Sequence, residues 1–182
     1  ADKVRVLNTF VGGAFGSGLR PQYQLYLAVL AAKKLERSVR VAMTRQQMFT
    51  HVHRPECLLC TTLAADDSAR LSAIMMDATT ATSRYENHSE AIVKWGGTVY
   101  GCDNASFGYG LVPLDTSTPG DMRAPGAATG MNLFEIAMDE LAYAAGVDPL
   151  ELRLINFSDR DPVDDAPYSS KALKAAYREG AE

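Results

Sequence analysis

The chain has 182 residues, 47% of them apolar and 22% charged, enough apolar content to bury the core of one ordinary domain. Its 18 basic and 22 acidic side chains leave a net charge of -4 without any basic block, which argues against a phosphate-backbone-binding surface and against nucleic acid as a partner. No run of roughly 18 apolar residues is present to span a membrane, and Ala1-Asp2-Lys3-Val4-Arg5 lacks the apolar stretch of a signal peptide.

The expected location is the cytoplasm. The periplasm stays open, because the chain opens on Ala and reads as an internal piece of a longer protein. The expected organisation is a single domain over 1–182, with an irregular segment at 85–120 and a helical end at 131–182.

The first block reads as strand, glycine turn, helix and strand. Val4 to Phe10 is strand-like, Gly12 to Gly18 is glycine-rich, and Pro21 to Glu36 carries Tyr23, Tyr26, Leu27, Leu30 and Ala31 at helical spacing. Val39, Val41 and Met43 then alternate with Arg40 and Ala42, the period of a strand with one packed face. Glu56 to Ala64 and Arg70 to Thr82, split by the polar tip Ala65-Asp66-Asp67-Ser68-Ala69, predict an antiparallel hairpin.

From Tyr85 to Thr118 the periodicity fades among glycines, prolines, Ser, Thr and Asn, which predicts a long irregular segment of functional type. After Gly130 a helix is expected, with Phe134, Met138, Leu141 and Ala145 on one stripe and Gly146 ending it. Asp148-Pro149-Leu150-Glu151 has the residue types of a capping box and starts the next helix. A short helix follows Ser169-Ser170, with Leu173 and Tyr177 inward. The fold class expected is α+β, a mixed or antiparallel sheet packed with helices.

Two segments stand out chemically. Gly12-Gly13-Ala14-Phe15-Gly16-Ser17-Gly18 is a glycine turn that allows backbone N–H groups to approach an anionic or oxo ligand. It has neither the Lys-Ser/Thr of a P-loop nor the glycine spacing of a dinucleotide fingerprint. Met122-Arg123-Ala124-Pro125-Gly126 holds an arginine between a loop and a helix start, where it can donate several hydrogen bonds to a polar ligand. Each segment taken alone also reads as a plain structural turn.

Among the titratable residues, His51 and His53 would share one face if they lay on a strand, without a third metal ligand in sight, and a structural or channel-lining role is expected. Of Glu90, Glu135, Glu140 and Glu151, the three on predicted helices read as solvent-facing or capping groups. Cys57, Cys60 and Cys102 read as small buried thiols in a reducing compartment, with no metal shared between Cys57 and Cys60.

Both segments in this order are followed by Val39-Arg40-Val41-Ala42-Met43-Thr44-Arg45-Gln46-Gln47-Met48-Phe49 and by Phe134-Glu135-Ile136-Ala137-Met138-Asp139-Glu140-Leu141-Ala142. With Asp148-Pro149-Leu150-Glu151-Leu152-Arg153, this text resembles the molybdenum-cofactor-binding subunit of the xanthine dehydrogenase and aldehyde oxidase family from about Val4 to Asn156. The wording around Met122 and Arg123 looks closer to bacterial aldehyde oxidoreductases.

The resemblance implies a molybdenum-dependent oxidoreductase that hydroxylates an aldehyde or aromatic N-heterocycle with oxygen from water. It implies a molybdopterin cofactor in its cytosine dinucleotide form. The partners it implies are the rest of the molybdenum subunit, a 2Fe-2S unit and often a FAD unit. Gly13, Ala14, Phe15 and Gly16 would lie against the molybdenum oxo group, and Met122, Arg123 and Ala124 would contact the pterin-molybdenum unit, so that Phe15 and Arg123 sit side by side. The family's catalytic glutamate belongs to a glycine-glutamate motif that this sequence does not contain, so the segment alone is expected to be inactive and without cofactor.

Two departures accompany the resemblance. Ala14 stands where the family usually has a third glycine, and Gly18 stands near the place where many members carry a lysine. An alanine methyl there would crowd a close cofactor approach or forbid a positive φ. A non-catalytic binding or assembly module of the same fold, without cofactor, is the alternative reading.

Overall fold

A computed structural model describes residues 3–8, 10 and 12–182. Its elements are α1 (Tyr23–Leu35), α2 (Arg45–His51), β1 (Cys57–Ala65), β2 (Leu71–Ser83), α3 (Lys94–Val99), β3 (Ala105–Leu114), α4 (Ala127–Ala145), α5 (Pro149–Ile155), β4 (Arg160–Asp161), β5 (Ala166–Pro167) and α6 (Leu173–Ala181). β1 and β2 form the expected antiparallel hairpin, and β3 adds to β2 in parallel, so the fold is α+β with a three-stranded mixed sheet in the order β1-β2-β3. β4 and β5 form a separate antiparallel pair.

The hairpin forms because its residues alternate with period two and its tip caps itself. Asp66 Oδ1 accepts hydrogen bonds from Ser68 N at 2.9 Å, Ser68 Oγ at 2.7 Å and Arg70 N at 3.0 Å. These bonds hold the Asp66 carboxyl below its ordinary pKa. The inward face of β2 is Ile74, Met76, Ala78, Thr80 and Thr82, all buried. Its apolar half packs with Tyr100, Phe134, Met138, Ala142 and Leu152 into the core, placing α4 and α5 over the sheet.

On α4 the buried stripe is Phe134, Met138 and Ala142, at strict four-residue steps; Leu141 is half-buried and Ala145 is exposed. Gly146 ends the helix at φ 67°, and Asp148 caps α5 by accepting from Leu150 N and Glu151 N. Leu173 and Tyr177 of α6 are half-buried.

Several expectations are corrected. Residues 4–8 and 10, expected to be strand, are irregular, with Val4, Val6, Leu7 and Phe10 at least 70% exposed; Thr9 of that stretch lies outside the described residues. Residues 39–43 are irregular as well. A strand exists only where a neighbour completes its ladder, and among the described residues nothing pairs with either stretch. The apolar stripe of α1 is real in sequence, but Tyr26, Leu27 and Leu30 stay exposed.

The 85–120 stretch, expected irregular, contains α3 and the ten-residue β3. Gly108 and Pro113 hid this strand, yet Gly108 is there for a steric reason: a Cβ on it would meet Asp77 Oδ1, its register partner on β2, at 2.0 Å. His51 ends helix α2 and His53 follows in a loop, so the two do not share a strand face. Cys57 and Cys60 do lie on opposite faces of β1, but Cys60 is exposed and Cys57 only half-buried, because only one face of β1 is covered. Burial, and then the Glu90 carboxylate, raise the Cys57 thiol pKa.

Phe134 is fully buried and stacks on Tyr100 with ring centroids 5.6 Å apart. In the natural-length protein Phe134→Ala should cost about 3–5 kcal/mol, read as a lower urea midpoint for loss of this region's structure. Tyr143→Ala, at a 78% exposed position of the same helix, should leave the midpoint near wild type. Equal midpoints for the two variants would remove Phe134 from the centre of the core.

Candidate functional site

The glycine turn forms locally. Phe15 at φ 50° and Gly16 at φ 93° reverse the chain in the left-handed region. Ser17 N and Ser17 Oγ donate to Ala14 O at 3.1 and 2.8 Å, and a 3-10 turn over Ser17–Leu19 leads toward α1. Phe15 is 66% exposed at the tip. The turn and the helix after it match the sequence expectation, while the strand before it does not form.

The second segment is held from both ends. Arg54 Nη2 donates to Arg123 O at 2.8 Å, and Gly126 N donates to Glu90 Oε2 at 2.9 Å as α4 begins. Ala124 at φ 53° and Gly126 at φ 72° give the loop its sharp reversal. Gly126 cannot be replaced cheaply, since its Cβ would meet the Ala91 backbone at 2.7–2.8 Å.

The two segments meet in space. A Cβ on Gly16 would lie 2.6 Å from the Met122 carbonyl carbon, and the Arg123 guanidinium carbon sits 5.9 Å from the Phe15 ring centroid. Arg20 ties the exit of the first to the approach of the second, through Asp121 Oδ2 at 3.0 Å and Glu86 Oε1 at 3.3 Å. A cleft of about 310 Å³ opens beside them, lined by Phe15, Met122 and the α2 residues Arg45, Met48 and Phe49. α2 is set by a capping box in which Thr44 Oγ1 accepts from Gln47 N and Gln47 Oε1 accepts from Thr44 N.

Ala14 is not at positive φ, which corrects the expectation of strain. Its methyl takes the space of a side chain at residue 18: a Cβ on Gly18 would lie 2.6 Å from the Ala14 Cβ. The two departures from the family pattern therefore compensate one another. Phe15 and Arg123 remain exposed side by side, with a cleft of about 440 Å³ touching Phe15, Gly16, Arg123 and Ala124, and these residues fit a polar cofactor approaching both loops.

Residues 1–157 match the family of molybdopterin cofactor-binding domains. The chain belongs to that family. It is similar, at 34% identity over 183 aligned positions and its whole length, to the aldehyde oxidoreductase molybdenum-binding subunit of Escherichia coli, of which it covers 25%. It is 29% identical over 178 positions, 95% of its length, to a xanthine dehydrogenase molybdenum-binding subunit of Escherichia coli, covering 23% of that protein. Among solved structures, the aldehyde oxidoreductase of Desulfovibrio gigas is similar at TM-score 0.75 and 26% identity, over 92% of this chain and 19% of that one. Quinoline 2-oxidoreductase of Pseudomonas putida shares the fold at TM-score 0.76 and 23% identity, over 93% of this chain and 23% of that one. The chain thus spans about a quarter of the curated relatives named here.

Within the molybdopterin-binding domain, sequence reasoning misplaced some residues. Glu90 is buried and holds the Gly126 amide, a role that was not foreseen. Glu135 is also engaged: its carboxylate accepts from Tyr100 Oη at 2.8 Å and from Arg153 Nε at 2.8 Å, so neither Glu135 nor Arg153 is a free surface charge. Arg153 further binds Asp139 at 2.8 Å. Burial, with the Glu135 carboxylate beside it, pushes the Tyr100 phenol above its ordinary range. Arg20 and Asp121 were not singled out at all. Their one sequence signal is that each flanks a loop motif, five residues after Phe15 and two before Arg123.

The fit between Ala14 and Gly18 can be tested by a double-mutant cycle. Gly18→Ala alone should lower the unfolding temperature, and Ala14→Gly with Gly18→Ala should recover it, with a coupling of about 0.5 kcal/mol or more. Additive effects of the two substitutions would show that the methyl and the glycine are independent.

Proposed function

We propose that the natural-length protein is a molybdenum-dependent oxidoreductase that hydroxylates an aldehyde or an aromatic N-heterocycle with oxygen derived from water. In this reading the chain supplies, as one domain, two loops of the cofactor cradle. The observation that carries it is the meeting of the Phe15 turn and the Arg123 turn, 108 positions apart in sequence, beside an open cleft. The printed names of the relatives, aldehyde oxidoreductase and xanthine dehydrogenase subunits, favour this substrate class.

When bound, the cofactor supplies the redox centre. The chain's own residues bind and orient it: backbone amides at Gly13, Ala14 and Gly16 donate to anionic or oxo groups, with Phe15 closing one side against water. The Arg123 guanidinium anchors polar oxygens and adds positive charge, while Met122 and Ala124 shape the pocket wall. The Arg123 carbonyl accepts from Arg54, and among the described residues the guanidinium has no hydrogen-bond partner. The form of the cofactor is the cytosine dinucleotide of molybdopterin. The partners are the remainder of the molybdenum subunit, a 2Fe-2S unit and a FAD unit. Among the described residues no helix is long and apolar enough to cross a membrane. The three free cysteines suit the reducing cytoplasm. Ala14 carries no left-handed strain, which removes one of the two grounds for a module without cofactor.

In the complete enzyme, Arg123→Ala should lower molybdenum content or turnover by about 10- to 100-fold, while Arg37→Ala, an exposed arginine just past α1, should change neither. Wild-type molybdenum content and turnover in a folded Arg123→Ala enzyme would remove this loop from the active site.

The 182-residue chain by itself should hold no molybdenum and reduce no dye with benzaldehyde or a purine, because it spans about a quarter of its relatives' length and would hold only part of the cofactor cradle, and its sequence lacks the family's glycine-glutamate motif. Stoichiometric molybdenum or turnover in that purified segment would overturn the expectation.

A further inference from the structure

Next to the Arg123 loop lies a buried group of ligand-type side chains that the proposed cofactor contacts do not use. His88 and Glu90 sit between β2 and α3, both with side chains 0% exposed, and Asp121 lies two residues before Arg123. One ligand-type atom from each of the three lies within 4.8 Å of the others.

The group is incompletely satisfied. Among the described residues, neither His88 ring nitrogen has a hydrogen-bond partner, and neither does Glu90 Oε1. A buried imidazole and a buried carboxylate oxygen left bare are costly, on the order of 1–3 kcal/mol each. They are not bonded to one another either: His88 Nε2 and Glu90 Oε1 are 3.9 Å apart, too far for a hydrogen bond. That gap suits two ligands of one ion. With bonds of about 2.0–2.2 Å, donors around a metal sit between roughly 3 and 4.4 Å apart.

The charges agree. Arg20 contacts the Glu86 and Asp121 carboxylates, whereas the fully buried Glu90 side chain has no arginine or lysine partner among the described residues. A bound cation would offset this buried carboxylate. One nitrogen and two carboxylate oxygens form a donor set suited to zinc or manganese, whereas magnesium and calcium favour oxygen-only shells.

We propose that His88, Glu90 and Asp121 bind one divalent transition-metal ion, of the zinc or manganese class, at a structural site separate from the molybdenum cofactor. Its effect is mechanical. Glu90 uses its other oxygen to hold Gly126 N, just past the Arg123 turn, and Asp121 enters the same turn from the other side. One ion bound to both residues therefore clamps the two ends of the loop that carries Arg123. Arg20, through Asp121, extends the clamp to the end of the glycine turn.

The site is tested on the natural-length protein, stripped with a chelator and titrated with Mn2+ or Zn2+ alone. Bound manganese is followed by electron paramagnetic resonance, and molybdenum is measured separately in the same samples, so that loss of the cofactor reading and loss of this site are told apart. The expected result is one equivalent bound per chain. His88→Ala and Asp121→Asn should weaken it about tenfold or more, with Glu140→Gln on the exposed face of α4 unchanged. Absence of saturable binding, or wild-type affinity in both variants, would overturn the proposal. Should the variants fail to fold, anomalous diffraction from manganese-soaked wild-type crystals decides: a peak among His88, Glu90 and Asp121 supports the site, and its absence rejects it.

Discussion

The inward face of β2 is the constraint on which the rest of the structure depends. Side chains on a strand alternate, so Ile74, Met76, Ala78, Thr80 and Thr82 must all point the same way. The first three are apolar, with Ile74 and Met76 in the core with Phe134 and Met138, while the last two are hydroxyls and cannot end in a dry core without partners. Thr80 pairs with Tyr109 Oη at 2.7 Å, and Thr82 accepts from His88 N at 3.0 Å. A single strand thus converts from core to polar scaffold along its length, and its polar end lies where the chain turns toward the cofactor loops.

That polar end organises the segment between β2 and α3. Tyr109 Oη accepts from Glu90 N at 3.2 Å, and Ser83 Oγ bonds Thr118 Oγ1 at 2.7 Å, joining the end of β2 to the approach of the Arg123 turn. Glu90 is then delivered to the start of α4, where a carboxylate beside unpaired amides is favoured by the helix dipole as well as by its hydrogen bond. The loop bearing Arg123 is hydrogen-bonded at both flanks and through the Arg123 carbonyl, while the Arg123 side chain stays exposed, an arrangement suited to a binding arginine.

The opposite situation holds before β1. Phe10, Leu30 and Phe49 are 94%, 64% and 67% exposed, and α1 buries no residue. These residues have the composition of packed elements, and the chain spans about a quarter of its named relatives. The glycine turn nevertheless keeps its shape, because its hydrogen bonds are local and its contact with Met122 depends only on the absence of a side chain at Gly16.

The sequence by itself determined whatever depends on near neighbours along the chain. The period-two alternation of β1 and β2, the four-residue spacing of Phe134 and Met138, the Asp148 cap and the left-handed stop at Gly146 were all legible, as were the two loop motifs that mark the family. Tertiary structure alone decided what depends on distant partners. It made a strand of the Gly108 region by laying it against Asp77, and it left the Val4 and Val39 segments without a ladder. It buried Glu90, and it engaged Glu135, expected to be solvent-facing or capping, with Tyr100 and Arg153. Periodicity is written into consecutive residues, whereas the partner that satisfies a buried charge or a bare strand edge lies tens of positions away and leaves no local trace.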